Sequence, residues 1–135
     1  MKLSKIIDCD VDVDITGISE DSRNVKPGYL FVATKGFNVD HFDFAADAIS
    51  KGAAAIVCDR EAHFSIPTIV VSDINQALID ACENFYDVKT SEFNFIGITG
   101  TDGKTTVASL IKQLLDDSKP IAYIGTNGMN VAGKK

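Results

Sequence analysis

The sequence predicts an α/β fold, with a small N-terminal α/β domain followed by the start of a second α/β domain built on a phosphate loop. Three observations carry that reading. Short apolar segments alternate with stretches of helical periodicity through residues 1–90, the pattern of an at least partly parallel sheet covered by helices. A glycine-rich turn, Gly97–Thr106, stands between an apolar segment and an amphipathic one. Between the two regions lies Asp87–Glu92, short and polar, which places a domain boundary near residue 90 and gives units 1–90 and 91–135.

In chain order, residues 1–14 are acidic and weakly patterned, a short N-terminal helix followed by a loop. Ile15–Ser19 suits a strand, and Pro27-Gly28 marks a turn before the strongly apolar strand Tyr29–Ala33. Lys35–His41 is a polar loop. Phe42, Ala45, Ala46 and Ile49 then fall at helical spacing, predicting a helix over Phe42–Lys51 with Gly52 as its C-terminal cap. Ala53–Cys58 and Thr68–Val71 read as buried strands. Ser72 or Asp73 is placed to cap a helix carrying Ile74, Leu78, Ala81, Cys82 and Phe85 on one face. Phe93–Ile96 is the next expected strand and Ile121–Ile124 the last, followed by the turn Gly125–Gly128.

Gly97–Thr106 reads Gly-Ile-Thr-Gly-Thr-Asp-Gly-Lys-Thr-Thr. Behind it, Val107, Leu110, Ile111, Leu114 and Leu115 form one face of an amphipathic helix. Strand, glycine turn, Lys-Thr and helix are the context in which a phosphate loop works. Gly100 and Gly103 let the backbone turn tightly and approach a phosphate with no Cβ in the way. The N–H groups then point inward at the positive end of the helix dipole. Lys104 would reach the β/γ-phosphates of a nucleotide, and the Thr105 hydroxyl would serve as a ligand to Mg²⁺. Ile98 stands where the general pattern has a first glycine, so the loop is a variant; a glycine turn that binds nothing is the plain alternative.

Composition narrows the partners. The hydrophobic fraction of 45% supports a real core, and a net charge of −6 with no basic stripe argues against a nucleic-acid backbone as partner. Three widely spaced cysteines without a C-x-x-C pair suit neither a disulfide framework nor a zinc site and fit a reducing cytosol. Ile6-Ile7 is too short for a signal sequence, and no apolar run approaches membrane-spanning length, so no membrane insertion is expected.

Two further loops are more polar than packing needs. Asp21-Ser22-Arg23 follows one strand, and Lys35-Gly36-Phe37-Asn38-Val39-Asp40-His41 follows another; strand C-terminal ends are where ligands of α/β sheets usually sit. A turn salt bridge between Asp21 and Arg23, and His41 as the first residue of a helix, are the plainer readings.

With these loops go Val25-x-Pro27-Gly28-x-Leu30-Phe31-Val32-Ala33, Asp40-His41-x-Asp43-Phe44 and Ala48-Ile49-x-x-Gly52-Ala53-Ala54-Ala55. Together with Gly97–Thr106 and Ile121–Gly128, in this order, they resemble the Mur ligases, most nearly the MurE type. The resemblance covers nearly the whole chain. It implies an ATP-dependent amide ligase of peptidoglycan synthesis that adds the third amino acid to UDP-N-acetylmuramoyl-L-Ala-D-Glu (UDP-MurNAc-dipeptide) through an acyl phosphate. The first domain would hold the UDP-sugar, with Glu20 and Ser22 at the uridine and Phe37, Asn38 and Val39 in the uridine-diphosphate loop. The ATP site would comprise Gly100, Thr101, Asp102, Gly103, Lys104, Thr105 and Thr106, with Lys104 catalytic and Thr105 on Mg²⁺.

Two residues depart from the family pattern: Asp102, where Asn is usual, and Glu20, where an apolar residue is common. A carboxylate beside a triphosphate weakens binding unless it faces away or toward the metal. The resemblance further implies a cytoplasmic monomer. The chain is expected to stop short of the family's metal-binding acid and histidine, its modified lysine and its C-terminal domain, and so to be inactive alone. Alternatives are a MurF-type, cyanophycin or folylpolyglutamate ligase, or a non-catalytic nucleotide-sugar module.

Overall fold

Four short strands, Gly17–Ser19 (β1), Tyr29–Val32 (β2), Ala55–Cys58 (β3) and Thr68–Val70 (β4), form a sheet in the order β1-β2-β3-β4, with every pair parallel. They are seen in a computed structural model that describes residues 1–36, 39–115, 120–126 and 128–131. Parallel neighbours need a crossover. The one from β1 to β2 runs through the 3-10 turn Ser22–Asn24, and the one from β2 to β3 through the 3-10 turn His41–Phe44 and the helix Ala45–Ser50 (α1).

The two central strands explain why this stretch is so apolar. Leu30, Val32, Ala55 and Val57 turn to one face, where they meet Leu3, Ile6, Ile15, Ile74 and Ala81. Phe31, Ala33, Ile56 and Cys58 turn to the other, against Val25, Ala45, Ala48 and Ala53. Every residue from Ala55 to Cys58 is 0% exposed, as a parallel strand covered on both faces must be. The first face is covered by the helix Ile74–Tyr86 (α2) and the 3-10 turn Leu3–Lys5, the second by α1.

The N-terminal segment is held to the stretch that leads into β1 by backbone bonds, Leu3 N–H to Val13 O at 2.9 Å and Ile15 N–H to Met1 O at 2.7 Å. Gly28 and Gly52 both adopt positive φ, +86° and +93°, and the Gly28 N–H donates to Gly52 O at 2.8 Å. A Cβ on Gly52 would stand 3.0 Å from Pro27 Cα, so only glycine closes this junction without strain.

Several expected bounds shift for local reasons. The helix expected over Phe42–Lys51 is split, because the Asp40 carboxylate accepts from Phe42 N–H and starts a tight 3-10 turn before α1. Of the two candidate caps for α2, Asp73 is the one used: it accepts from Asn75 N–H and Gln76 N–H, both at 3.0 Å. The polar segment after α2 is not a loose tether. Asp87 takes a left-handed conformation, and the Glu83 carboxylate accepts from both the backbone N–H and the hydroxyl of Thr90. A 3-10 turn, Thr90–Glu92, follows.

The chain divides into two compact units, Met1–Phe93 and Asn94–Lys135. The second contains the helix Lys104–Leu115 (α3) and a hairpin of Ala122–Gly125 (β5) with Gly128–Val131 (β6). Here the reading of Phe93–Ile96 as a buried strand is corrected: residues 93–96 form no strand. A parallel strand needs ladder neighbours and cover on both faces, and among the described residues of this unit the only ladder is the antiparallel β5–β6 pair. The apolar face of α3 and the hairpin are correspondingly open, with Leu114 79% and Ile124 78% exposed. β6 itself was not expected; part of the expected turn, Asn127, lies outside the described residues.

Asp73→Ala should lower the stability of the first unit by about 1 kcal/mol, because two N–H groups at the start of α2 lose their acceptor. Urea unfolding followed by circular dichroism measures it, and an unchanged midpoint would mean the cap contributes nothing.

Candidate functional site

The C-terminal ends of parallel strands share one edge, and the polar loops after β1, β2 and β3 are gathered there. After β1, the Ser19 hydroxyl donates to Asp21 O at 2.9 Å and accepts from Asp21 N–H at 3.2 Å, turning the chain sharply. Asp21 then caps the 3-10 turn, accepting from Arg23 N–H at 2.9 Å. The Arg23 guanidinium folds back on it, with Nη2 to Oδ2 at 2.7 Å and Nε to Oδ1 at 2.9 Å. These bonds from the Arg23 side chain, and then from its backbone, pull the Asp21 carboxyl down to about 2. The turn salt bridge is therefore present. Ser22 is 5% exposed beneath it, and its carbonyl accepts from Lys51 Nζ at 3.0 Å, while Lys51 also donates to Asp47 at 2.8 Å.

The loop after β2 is pinched at its base. His41 N–H donates to Thr34 O at 3.0 Å, Gly36 N–H donates to Val39 O at 2.9 Å, and Lys35 and Asp40 form a β-bridge. Val39 is exposed at the turn. Phe37 and Asn38, expected in the same loop, lie outside the described residues. Arg60, after β3, ties this loop down: it donates to Asp40 at 2.8 Å and to Asp59 at 2.7 Å, and its guanidinium lies 4.7 Å over the Phe42 ring. Asp59 and Asp40 hold the Arg60 guanidinium above its ordinary range. Asp40 is in turn held low, first by the Phe42 N–H and then by Arg60.

Between these loops stands a hydrogen-bond chain that sequence reasoning missed. Thr34 is 5% exposed. Its hydroxyl lies 2.9 Å from Glu20 Oε2 and 2.9 Å from His41 Nδ1. The structure thus brings Glu20 to the base of the 35–41 loop. A lone hydroxyl directly after the apolar run Tyr29–Ala33 was the available signal, since a buried hydroxyl needs a partner. Arg60, two residues past β3, carried none.

The second unit holds the glycine turn. Gly100 and Gly103 have φ of +146° and +76°, values that L side chains avoid. α3 begins at Lys104, with Val107 N–H donating to Gly103 O at 2.9 Å. The loop is exposed along most of its length, and Thr105 is partly covered. The Lys104 ammonium bends back over the loop, donating to Gly100 O and, at 3.1 Å, to Thr101 O. Left-handed glycines at the start of a twelve-residue helix, with an ammonium beside them, make an arrangement that suits an anion. Among the described residues, no three His, Cys, Asp or Glu side chains come together as a metal cluster. Nor, among the described residues, is any helix long and apolar enough to cross a membrane.

Comparison with known proteins is specific. Residues 14–95 match the family described as "Mur ligase family, catalytic domain", and residues 98–135 match "Mur ligase middle domain". The chain is 41% identical over 122 residues to the UDP-N-acetylmuramoyl-L-alanyl-D-glutamate--2,6-diaminopimelate ligase of Geobacillus thermodenitrificans, covering 90% of this chain and 25% of that protein. It is 45% identical over 103 residues to the ligase of the same name from Bacillus licheniformis, 76% of this chain and 21% of that one. A solved UDP-N-acetylmuramoyl-L-alanyl-D-glutamate--2,6-diaminopimelate ligase superposes with a TM-score of 0.69 at 27% identity, over 97% of this chain and 28% of that one. The MurF ligase of Thermotoga maritima in complex with ADP gives 0.55 at 28% identity, over 76% and 24%. The chain spans about a quarter of the length of these relatives.

The Asp21–Arg23 contact has a pH signature. A depressed carboxyl contributes stability that is fully present above the ordinary value of 3.8 and is lost as pH falls toward about 2. Asp21→Asn should therefore flatten the dependence of stability on pH across that window and lower stability at neutral pH by the same amount, a small one because Arg23 is largely exposed. Unfolding midpoints taken from pH 4 to pH 2 report it; parallel curves for the two proteins would remove the linkage.

Proposed function

The chain belongs to the Mur ligase family, and from that premise we propose that it supplies the UDP-sugar domain and the phosphate loop of a MurE-type ligase of peptidoglycan precursor synthesis. The enzyme would join an amino acid, 2,6-diaminopimelate in the relatives' names, to UDP-MurNAc-L-Ala-D-Glu at the expense of ATP. It would act as a cytoplasmic monomer. The observation that carries the proposal is the glycine turn, in which Gly100 and Gly103 are left-handed just before α3 and Lys104, its first residue, lies across the loop. The longer structural match to the diaminopimelate ligase favours this type over the MurF type.

The roles divide between the units. At the strand ends of Met1–Phe93, Glu20 and Ser22 would meet the uridine, and Phe37, Asn38 and Val39 would line the diphosphate. The burial of Ser22 beside α1 and Lys51 supports its reading as a fixed element of that wall. In the second unit, backbone N–H groups from Gly100 to Thr106, with Thr101 and Asp102 at the turn, would cradle the phosphates. The residues present fit a nucleoside triphosphate, because the two glycines take conformations closed to other residues and leave the backbone open.

ATP, when bound with Mg²⁺, supplies the phosphoryl group that activates the substrate carboxylate. Lys104 must leave the Gly100 and Thr101 carbonyls to reach the phosphates, where its charge offsets what develops on the transferring group. Thr105 would offer its hydroxyl to Mg²⁺. Water must be kept from the activated carboxyl until the amine attacks.

In a full-length ligase carrying this sequence, Lys104→Ala should lower ATP-dependent turnover by about 100-fold or more while the fold is retained. A purified, folded variant that kept near wild-type turnover would remove the phosphate-loop assignment.

A further inference from the structure

We propose that Glu20 is a specificity-determining acceptor for an imide N–H, the N3–H of a uracil ring, and that Thr34 and His41 are positioning residues that aim its carboxylate. The proposal rests on the reading of this sheet edge as the uridine site.

The hydrogens of the chain can be counted. Thr34 has one hydroxyl hydrogen and lies 2.9 Å from both Glu20 Oε2 and His41 Nδ1. An ionised carboxylate only accepts, so the Thr34 hydrogen goes to Glu20. The Thr34 oxygen then accepts from His41, which must carry its proton on Nδ1. This order is the same for neutral and charged imidazole, since protonation adds a hydrogen at Nε2 and leaves Nδ1–H in place. Because Thr34 is buried, its two bonds are shielded from water and hold their geometry.

Loop closure does not require this arrangement. The His41 N–H to Thr34 O bond and the Lys35–Asp40 bridge already close the base of the loop. Nor is Glu20 there to neutralise a nearby guanidinium: Arg23 is engaged by Asp21, and Arg60 by Asp40 and Asp59. Glu20 is exposed, and among the described residues only its Oε2 is engaged. What remains is a fixed acceptor facing the edge where parallel sheets receive ligands. Uracil offers a donor at N3, flanked by two carbonyls. Cytosine offers a lone pair at the same atom, which a carboxylate repels.

The test is calorimetric titration of this chain with UDP and with CDP, the fold of each variant being checked by amide spectra. Wild type should bind UDP at least about tenfold more tightly than CDP. Glu20→Gln, at an exposed position, should bring the ratio to one or invert it: with the Thr34 hydrogen on the amide oxygen, the NH₂ group faces the base. Thr34→Val should likewise bring the ratio toward one, and Thr34→Ser should restore it. UDP and CDP binding equally to wild type, or a preference for UDP that survives Glu20→Gln, would overturn the proposal and leave the uridine site standing. Binding of neither nucleotide would overturn both.

Discussion

Parallel pairing of β1 to β4 is the constraint on which the rest of the first unit depends. A parallel ladder leaves both faces to be covered and every connection to be a crossover. That is why Ala55–Cys58 is apolar at every position, and why α1 and α2 lie on opposite faces. It is also why the loops after β1, β2 and β3 end up together. Their chemistry is local and nearly self-contained: Arg23 answers Asp21, Arg60 answers Asp40 and Asp59, and Lys51 answers Asp47 and the Ser22 carbonyl. The pairs are exposed enough that each contributes little to stability. Their effect is to fix loop shape at the edge where a ligand would be read.

Much of this fold was legible because its causes are local. Gly52 and Asp73 announce the end of one helix and the start of another through backbone requirements that few residues meet. The alternation of apolar runs with helical spacing marks an α/β chain, and the observed sheet and the Mur ligase matches agree. What escaped was set by tertiary partners. Phe93–Ile96 has a strand's composition, but composition does not supply ladder neighbours. β6 contains Gly128 and Asn130, poor strand formers that pair with β5 because the chain reverses there. The Glu20–Thr34–His41 chain joins residues fourteen and seven positions apart, a distance no local pattern spans.

The glycine turn before α3 shows which features are set by the turn itself. The left-handed glycines, the start of α3 and the position of Lys104 occur together within residues 100–104. Lys104 rests on the carbonyls of the loop it would serve, so binding an anion exchanges two backbone contacts for stronger charge-assisted ones. Asp102 stands at the turn and is exposed; beside a phosphate its carboxylate would have to face away or toward a metal. The first unit, by contrast, presents a strand-end edge whose polar groups are tied to one another, Arg23 to Asp21, Lys51 to the Ser22 carbonyl and Arg60 to Asp40.

The most direct test of that edge is an amide-resolved NMR titration of this chain with UDP-N-acetylmuramoyl-L-alanyl-D-glutamate. Shifts are expected at Glu20, Ser22, Val39 and His41, with α2 and the hairpin largely unmoved. Saturable shifts confined to α2, with none at the ends of β1 and β2, would contradict the placement of the UDP-sugar site.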